Sequence, residues 1–410
     1  MIQLPRLRAK CYDRIELIHR PDVHRIYLDH NATTPPAPDV VDRMAAALRD
    51  EFGNPSSVHH FGQRAKAALD EARAAVAALI GADPSEVVFT SGGTESDNFA
   101  IRGAAEAIEV TGRRHVLTTG IEHEAVVNTV KALGRRGWRT TVLAVDQTGI
   151  VDPEAVEAAI DDTTSVVSVM HANNEIGTIQ PVAEIARRVR ARGVVVHTDA
   201  VQSVGKIPVD VKALGVDLLS LSAHKFYGPK GVGALWIRRG LRLTPLLAGG
   251  RHERGRRAGT ENVTGIIGMG VAARLAAAHL RDEATRLSGL RDRLEEGVLR
   301  AVTGTAINGA RAPRVPNTTN ISFDRIEAES LLIALDLQGI AVSTGSACSS
   351  GTLEPSHVLR AMGLPPHRTQ NSIRFSLGAA TTEADVDRVI AVLPEVVEKL
   401  RGLSRVPARA

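Results

Sequence analysis

The sequence predicts an α/β fold in which a large domain built on a mainly parallel sheet is followed by a smaller α+β domain. Three observations carry that expectation. Between residues 86 and 198, short apolar runs alternate with amphipathic stretches, as strands do when crossover helices join them. Polar side chains gather just after several of those runs, where open α/β sheets bind their ligands. A long Ala/Leu/Arg helical stretch, from about 264 to 302, then separates this region from two further strand-like runs at 317–323 and 340–343. The expected division is an N-terminal extension with a small-domain segment over 1–33, a large domain over 34–280, and a small C-terminal domain carrying a cysteine loop over 281–410.

In chain order, 27–38 holds three prolines and reads as a loop, and 40–49 reads as a helix. After the loop Gly53-Asn-Pro-Ser-Ser57, the residues Phe61, Ala65, Ala68, Leu69, Ala72, Val76, Leu79 and Ile80 recur at three- and four-residue steps. They predict one apolar face of a helix that runs from Val58 to a stop at Gly81. Glu86-Val-Val-Phe-Thr90 reads as a buried strand, and Ser91-Gly-Gly-Thr-Glu-Ser-Asp97 leads from it into a helix. Two glycines between a strand and a helix start serve either as an anion cradle or as a simple cap. The alternation continues with strands at 115–119, 140–145, 165–170 and 194–198 and helices at 124–133, 153–160 and 182–191. No repeat or low-complexity block interrupts it, and the tail 401–410 is expected to fray.

The 410 residues are 43% hydrophobic, with a formal charge of +4 and a pI near 9.2. The charges are interspersed, which gives little support to a nucleic-acid binder. The two cysteines, Cys11 and Cys348, form no Cys-x-x-Cys pair, against a zinc ribbon or a disulfide scaffold and in favour of a reducing cytoplasm. No uninterrupted apolar run reaches the roughly 18 residues of a membrane span. The first 25 residues lack the apolar core of a signal peptide. They read as an extension, frayed or packed on the small domain, or as a misassigned start, with an organellar transit peptide also open.

The chemistry centres on Ser220-Leu-Ser-Ala-His-Lys225-Phe-Tyr-Gly-Pro-Lys-Gly231, which sets a lysine between an apolar run and a Gly/Pro turn. An amine of pKa about 10.4 becomes a nucleophile near neutral pH only where burial or a cationic neighbour lowers that value. Ser222 and His224 can donate to a phosphate beside Lys225, whereas no such donors precede Lys230. Three strand ends converge in this reading: His171 to Asn174, Asp199 to Gln202, and His224-Lys225. With Thr94 and His123 they form one candidate site.

Taken together, the order of Tyr27-Leu-Asp-His-Asn-Ala-Thr-Thr-Pro, Thr90-Ser-Gly-Gly-Thr-Glu-Ser, Glu122-His-Glu, Asn173-Asn-Glu-Ile-Gly, His197-Thr-Asp-Ala-Val-Gln202, Ser222-Ala-His-Lys225, Arg257-Ala-Gly-Thr260 and Ser343-Thr-Gly-Ser-Ala-Cys348-Ser-Ser-Gly closely resembles the cysteine desulfurases. These are pyridoxal-phosphate enzymes of the class-V aminotransferase group. The resemblance spans about 27–392 and implies the fold-type I architecture, with a mainly parallel seven-stranded sheet. It implies that Lys225 holds the cofactor covalently and moves protons at the substrate α-carbon. Asp199 would keep the ring nitrogen protonated, Gln202 would bind the phenolic oxygen, and His123 would stack on the ring and shuttle a proton. Asn174 would lie on the ring and substrate side, and Arg374 would grip the substrate carboxylate through its two-pronged guanidinium. Phosphate binding falls to Gly93, Thr94, Ser222, Ala223 and His224, with Thr260 contributed by the second subunit of a homodimer, which makes the arginines 254, 256 and 257 part of an interface loop.

By the same resemblance Cys348 is the nucleophile that takes sulfur from L-cysteine as a persulfide and releases L-alanine. Its Gly/Ser-rich surroundings predict an exposed loop. The loop and the following 353–363 resemble the long-loop branch that serves iron-sulfur cluster assembly. A scaffold or another sulfur-acceptor protein is then the expected partner, and Cys348 a transient ligand of a shared cluster. The tail after Leu400 has no clear match to a scaffold-docking segment. The competing readings are a selenocysteine lyase, another enzyme of the class-V aminotransferase type, and a non-enzymatic sulfur-relay protein.

Overall fold

The computed structural model describes residues 24–344 and 355–403. Cys348 and its neighbours, most of the N-terminal extension and the basic tail lie outside the described residues.

Seven strands form the central sheet in the order Val87–Thr90, Gly233–Ile237, Leu218–Ser222, Val195–Asp199, Thr164–Ser168, His115–Thr119 and Arg139–Leu143. Five of them run parallel, from Leu218–Ser222 to the edge at Arg139–Leu143. Gly233–Ile237 pairs antiparallel with both of its neighbours, so it is the one reversed strand. Short connections follow from this reversal: Leu218–Ser222 and Gly233–Ile237 are hydrogen-bonded partners joined by the turn that holds Lys225. The carboxyl ends of the other six strands share one edge, and the site is built there.

Apolar side chains explain why these segments are central strands. Val87 to Thr90, Thr164 to Ser168 and Leu218 to Ser222 are buried at every position, as a sheet covered on both faces requires. On one side lies the helix His60–Leu79, which crosses the helix Val263–Ala301 so closely that a Cβ on Gly270 would stand 2.6 Å from the Ala72 Cα. Only glycine permits that approach. The expected apolar face of the first of these helices needs one correction. The helix starts at His60, so Phe61 falls in its first turn, half-exposed at 47% and packed on the ring of Phe52 at 5.1 Å, while Val58 precedes the helix and is exposed.

Val263–Ala301 is long and apolar enough, by length and composition alone, to cross a membrane, but half of its apolar stretch is buried within the fold. It supplies two apolar cores. Ile266, Met269 and Ala272 join the sheet core, while Leu287, Leu290, Leu294 and Val298 join a second core with Phe323, Leu331, Phe375 and Leu393. The second core surrounds an antiparallel sheet of Ser372–Ser376, Thr318–Phe323 and Thr305–Ile307. Residues Ile26 and Leu28 also belong to it, through the strand Ile26–Tyr27 paired in parallel with Ile340–Ala341. The strand expected over 340–343 is therefore shorter, because Ser343 turns away to bridge Arg374.

Candidate active site

Lys225 ends a single 3-10 turn, Ala223–Lys225, that leaves the strand Leu218–Ser222 at the ligand-binding edge. Behind it the chain reverses tightly, with Gly228 N–H donating to the Ala223 carbonyl at 2.9 Å. A Cβ on Gly228 would meet that carbonyl oxygen at 2.9 Å and the Ala223 Cβ at 2.8 Å, so the turn needs glycine there. The Lys225 Nζ donates to the carbonyls of Asn31 (2.6 Å) and Ala32 (2.7 Å) in the loop after Tyr27, which fixes the direction of the amine. Lys230 is exposed.

Asp199 ends the neighbouring strand Val195–Asp199 and is 5% exposed. Its Oδ1 accepts from Val201 N–H at 2.9 Å. Burial raises its pKa above the ordinary carboxylate value, opposed by His123, by the Val201 hydrogen bond and by Lys225. Two more carboxyls lie buried nearby. Asp97, on the helix Gly93–Ile108, is pushed well up by burial and by Asp199, and burial pushes Glu122 up to about 8 despite donors from Thr119 Oγ1 and Met170 N–H. A carboxylate is costly in such surroundings, so burial disfavours the charged form of Asp97 and Glu122, while Asp199, which His123 and Lys225 draw the other way, is the member placed to meet a bound cation. His197, 3.6 Å from Asp97, has its own pKa lowered to about 3 by burial and hydrogen-bonds Ser168 and Ser220. That contact is thus not an ion pair.

Glu122 gives a direct test of this electrostatic arrangement. Its folded pKa lies above the 4.5 of the unfolded chain, so its stabilising contribution is complete below about 4.5 and is lost as pH rises through about 8. Glu122→Gln keeps a neutral acceptor for Thr119 and Met170. The expected result is a melting temperature at pH 8 raised by at least about 2 °C, with little change at pH 5. Thermal denaturation of both proteins across that range checks it, and parallel pH profiles would show that the buried carboxyl is not the source.

His123 caps the helix Glu124–Arg135, its Nδ1 accepting from Ala125 N–H at 3.1 Å, which leaves the proton of the neutral ring on Nε2. Burial lowers its pKa, while Asp199 pulls in the opposite direction. A neutral imidazole facing Asp199 and Lys225 suits proton transfer.

The candidate phosphate cradle combines two elements that meet. The helix Gly93–Ile108 directs its free N-terminal N–H groups and positive dipole end toward the edge of the sheet. Gly93 lies against Ser222 and Val201: an added Cβ would stand 2.9 Å from Val201 Cγ2 and 3.7 Å from Ser222 Cβ. Ala223 is fully buried beside Ser222. Burial first, then Lys225 and Lys230, lower the pKa of His224 to about 4, and its Nδ1 hydrogen-bonds Thr33 Oγ1 at 3.1 Å. These residues fit a phosphorylated pyridine aldehyde: an anion seat, a lysine amine and a buried carboxylate share one edge.

Arg374, 3% exposed on the strand Ser372–Ser376, donates to the Asn174 carbonyl at 2.9 Å and to Asp29 Oδ1 at 2.6 Å. Its Nε has no hydrogen-bond partner among the described residues. Gln202 turns its carboxamide toward Asn31 and Lys206, donating to the Asn31 carbonyl at 2.9 Å and accepting from Lys206 Nζ at 2.6 Å. Thr260 is exposed on a loop tied down by Arg257, which pairs with Glu95 at 2.8 Å. Sequence reasoning did not assign roles to Asn31, Asp97, Glu122 or Lys206. For Lys206 the available signal was a lone lysine ending the otherwise apolar and small run from Ala200, four residues after Gln202.

Residues 26–389 match the model of the class-V aminotransferase family. A cysteine desulfurase of Nostoc sp. (strain PCC 7120) is 53% identical over 379 residues, covering 92% of this chain and 94% of that protein. The cysteine desulfurase IscS of Dictyoglomus turgidum is 50% identical over 379 residues, covering 92% and 96%. Among solved structures, a NifS-like protein superimposes with a TM-score of 0.86 at 40% identity, over 92% of this chain and all of that one. SspA, solved in complex with cysteine, gives 0.77 at 35% identity, over 86% and 98%.

Proposed function

The chain belongs to the class-V aminotransferase family and is a pyridoxal-phosphate-dependent cysteine desulfurase, and on that premise we propose how its own residues divide the reaction. The observation that carries the assignment is the convergence of Lys225, Asp199 and the N-terminus of the helix Gly93–Ile108 on one sheet edge. When bound, the cofactor supplies an electron sink for bond breaking at the substrate α- and β-carbons. Lys225 holds it covalently and moves the proton at the α-carbon. Asp199 keeps the ring nitrogen protonated, and His123 covers the ring and passes protons through Nε2. Gly93, Thr94, Ser222, Ala223 and His224 seat the phosphate, and Gln202 donates to the phenolic oxygen.

Arg374 and Asn174 orient L-cysteine by its carboxylate, and Asp29 holds the guanidinium ready. The Cys348 thiolate forms an S–S bond with the substrate sulfur while the substrate C–S bond breaks. The electron pair of that bond stays with the carbon skeleton, which leaves as L-alanine after protonation. The persulfide on Cys348 then passes to an acceptor protein, an iron-sulfur scaffold in keeping with the IscS name of relatives, and the reaction takes place in the cytoplasm. Thr260, exposed on the loop anchored by Arg257, completes the phosphate seat of a second copy in a homodimer. The two apolar cores that share Val263–Ala301 support a division at residues 33 and 280.

Sulfide and alanine released from L-cysteine by the full chain with pyridoxal phosphate and a thiol reductant test this reading. Equimolar products are expected. Turnover of selenocysteine with none of cysteine would instead assign the selenocysteine lyase activity.

A further inference from the structure

Lys206 is a buried lysine for which the reaction outlined above has no use. It is 9% exposed, and its Nζ donates to two neutral acceptors, Asn31 Oδ1 at 2.8 Å and Gln202 Oε1 at 2.6 Å. The charged groups that act on it are Lys225 and Arg374, both cationic, and with burial they lower its pKa well below the ordinary lysine value. Neither acceptor depends on the charge, because a neutral amine still has two N–H groups for two acceptors.

A lysine nitrogen facing two acceptors donates and so settles which end of the Gln202 carboxamide faces it. The oxygen of Gln202 must point at Lys206, which turns the NH2 the other way, onto the Asn31 carbonyl at 2.9 Å. The same carbonyl accepts from Lys225 Nζ at 2.6 Å, so the Gln202 NH2 and the Lys225 amine converge on one oxygen. Asn31 is itself held across the fold. Its Nδ2 donates to the Asn174 carbonyl at 3.1 Å and to Thr318 Oγ1 at 2.8 Å, and its Oδ1 also accepts from Asn317 Nδ2 at 3.1 Å.

We infer that Lys206 is a positioning residue that locks the Gln202 carboxamide with its NH2, never its oxygen, toward the cofactor. A glutamine free to flip presents an oxygen as readily as a nitrogen, and an oxygen facing the phenolic oxygen of the cofactor repels it. The pair opposes the flip: the turned amide would give up the oxygen that accepts from the Lys206 amine and set that oxygen against the Asn31 carbonyl. The inference rests on the reading of Gln202 as the partner of the phenolic oxygen.

The test is the equilibrium affinity of the full-length protein for pyridoxal phosphate, read by absorbance titration, with a double-mutant cycle over Lys206→Met and Gln202→Leu. Lys206→Met is expected to weaken cofactor binding about tenfold, the effect of one hydrogen bond lost in a buried site. The double variant should bind no more weakly than Gln202→Leu alone, since Lys206 acts only through that amide. Lys206→Arg, whose guanidinium has donors only and can use the cavity of about 400 Å³ that Lys206 lines, should restore most of the affinity. Additive losses would overturn the inference, as would wild-type affinity in Lys206→Met while Gln202→Leu is impaired. Unchanged affinity in Gln202→Leu overturns the assignment of Gln202 and the inference with it. If Lys206→Met does not fold, Lys206→Gln serves in its place. A glutamine there accepts either orientation of Gln202, so it should bind the cofactor more weakly than Lys206→Arg, and equal affinities would count against the lock.

Discussion

Lys225→Ala is expected to lower L-cysteine turnover about a thousandfold or more, the scale on which a positioned acid-base group acts, with the loss of the covalent hold on the cofactor added to it. The fold should survive the change. Lys225 is half-buried, and the Asn31 carbonyl keeps its hydrogen bond from Gln202 when the amine is gone. The chain continues through the Gly228 turn, whose hydrogen bond is made by backbone atoms alone. Phosphate binding should also persist, because the helix start at Gly93 and the Ser222 hydroxyl are untouched. The variant should therefore still bind pyridoxal phosphate, but reversibly. Borohydride treatment followed by peptide mass spectrometry makes the distinction: the wild type should carry reduced cofactor on the peptide containing Lys225, and the variant on none. Lys230→Ala, a change at an exposed side chain, should behave as wild type. Reduced cofactor on Lys230 would transfer the role to that residue.

The parts of the site that could be read in the sequence are polar residues ending apolar strands. Asp199 follows Val195, Val196, His197 and Thr198, and Lys225 follows Leu218 to Ser222 by three residues, so strand direction alone places both at one edge. The Gly93 cradle was ambiguous because a strand, two glycines and a helix start describe a cap as well as an anion site. Its proximity to Ser222, which lies 129 positions further on, favours the anion site. Residues whose importance lies in a tertiary partner were not legible. Lys206 meets Asn31 across 175 positions, and its place at the end of a small, apolar run does not reveal that partner. Asp97 looks like a helix-surface carboxylate until the sheet is placed over it. Phe61 failed for a related reason. It satisfied the helical spacing, but a residue in the first turn faces whatever the helix entrance faces, and here that is Phe52 and solvent.

Cys348→Ser is expected to abolish sulfide release from L-cysteine while leaving cofactor binding at the wild-type level. The chain on both sides of the cysteine segment is fixed at the site. Before it, Ser343 bridges Arg374, the residue assigned to the substrate carboxylate. After it, Ser356 Oγ donates to the buried Glu175, and His357 Nε2 hydrogen-bonds the Glu122 carbonyl at 2.9 Å, next to His123. Cys348 is four residues beyond Thr344 in the sequence. The placement of these flanking residues favours Cys348 as the thiol that takes the substrate sulfur. A serine oxygen there cannot accept and pass on sulfur as a persulfide, and no residue assigned to the phosphate seat lies in the segment, so binding and sulfur transfer should separate cleanly. Sulfide and alanine assays alongside an absorbance titration of the cofactor measure both. Loss of sulfide release with cofactor affinity intact assigns the sulfur-accepting step to Cys348. Full activity in the variant would remove Cys348 from the reaction and leave Cys11 as the only other thiol in the chain able to accept the sulfur.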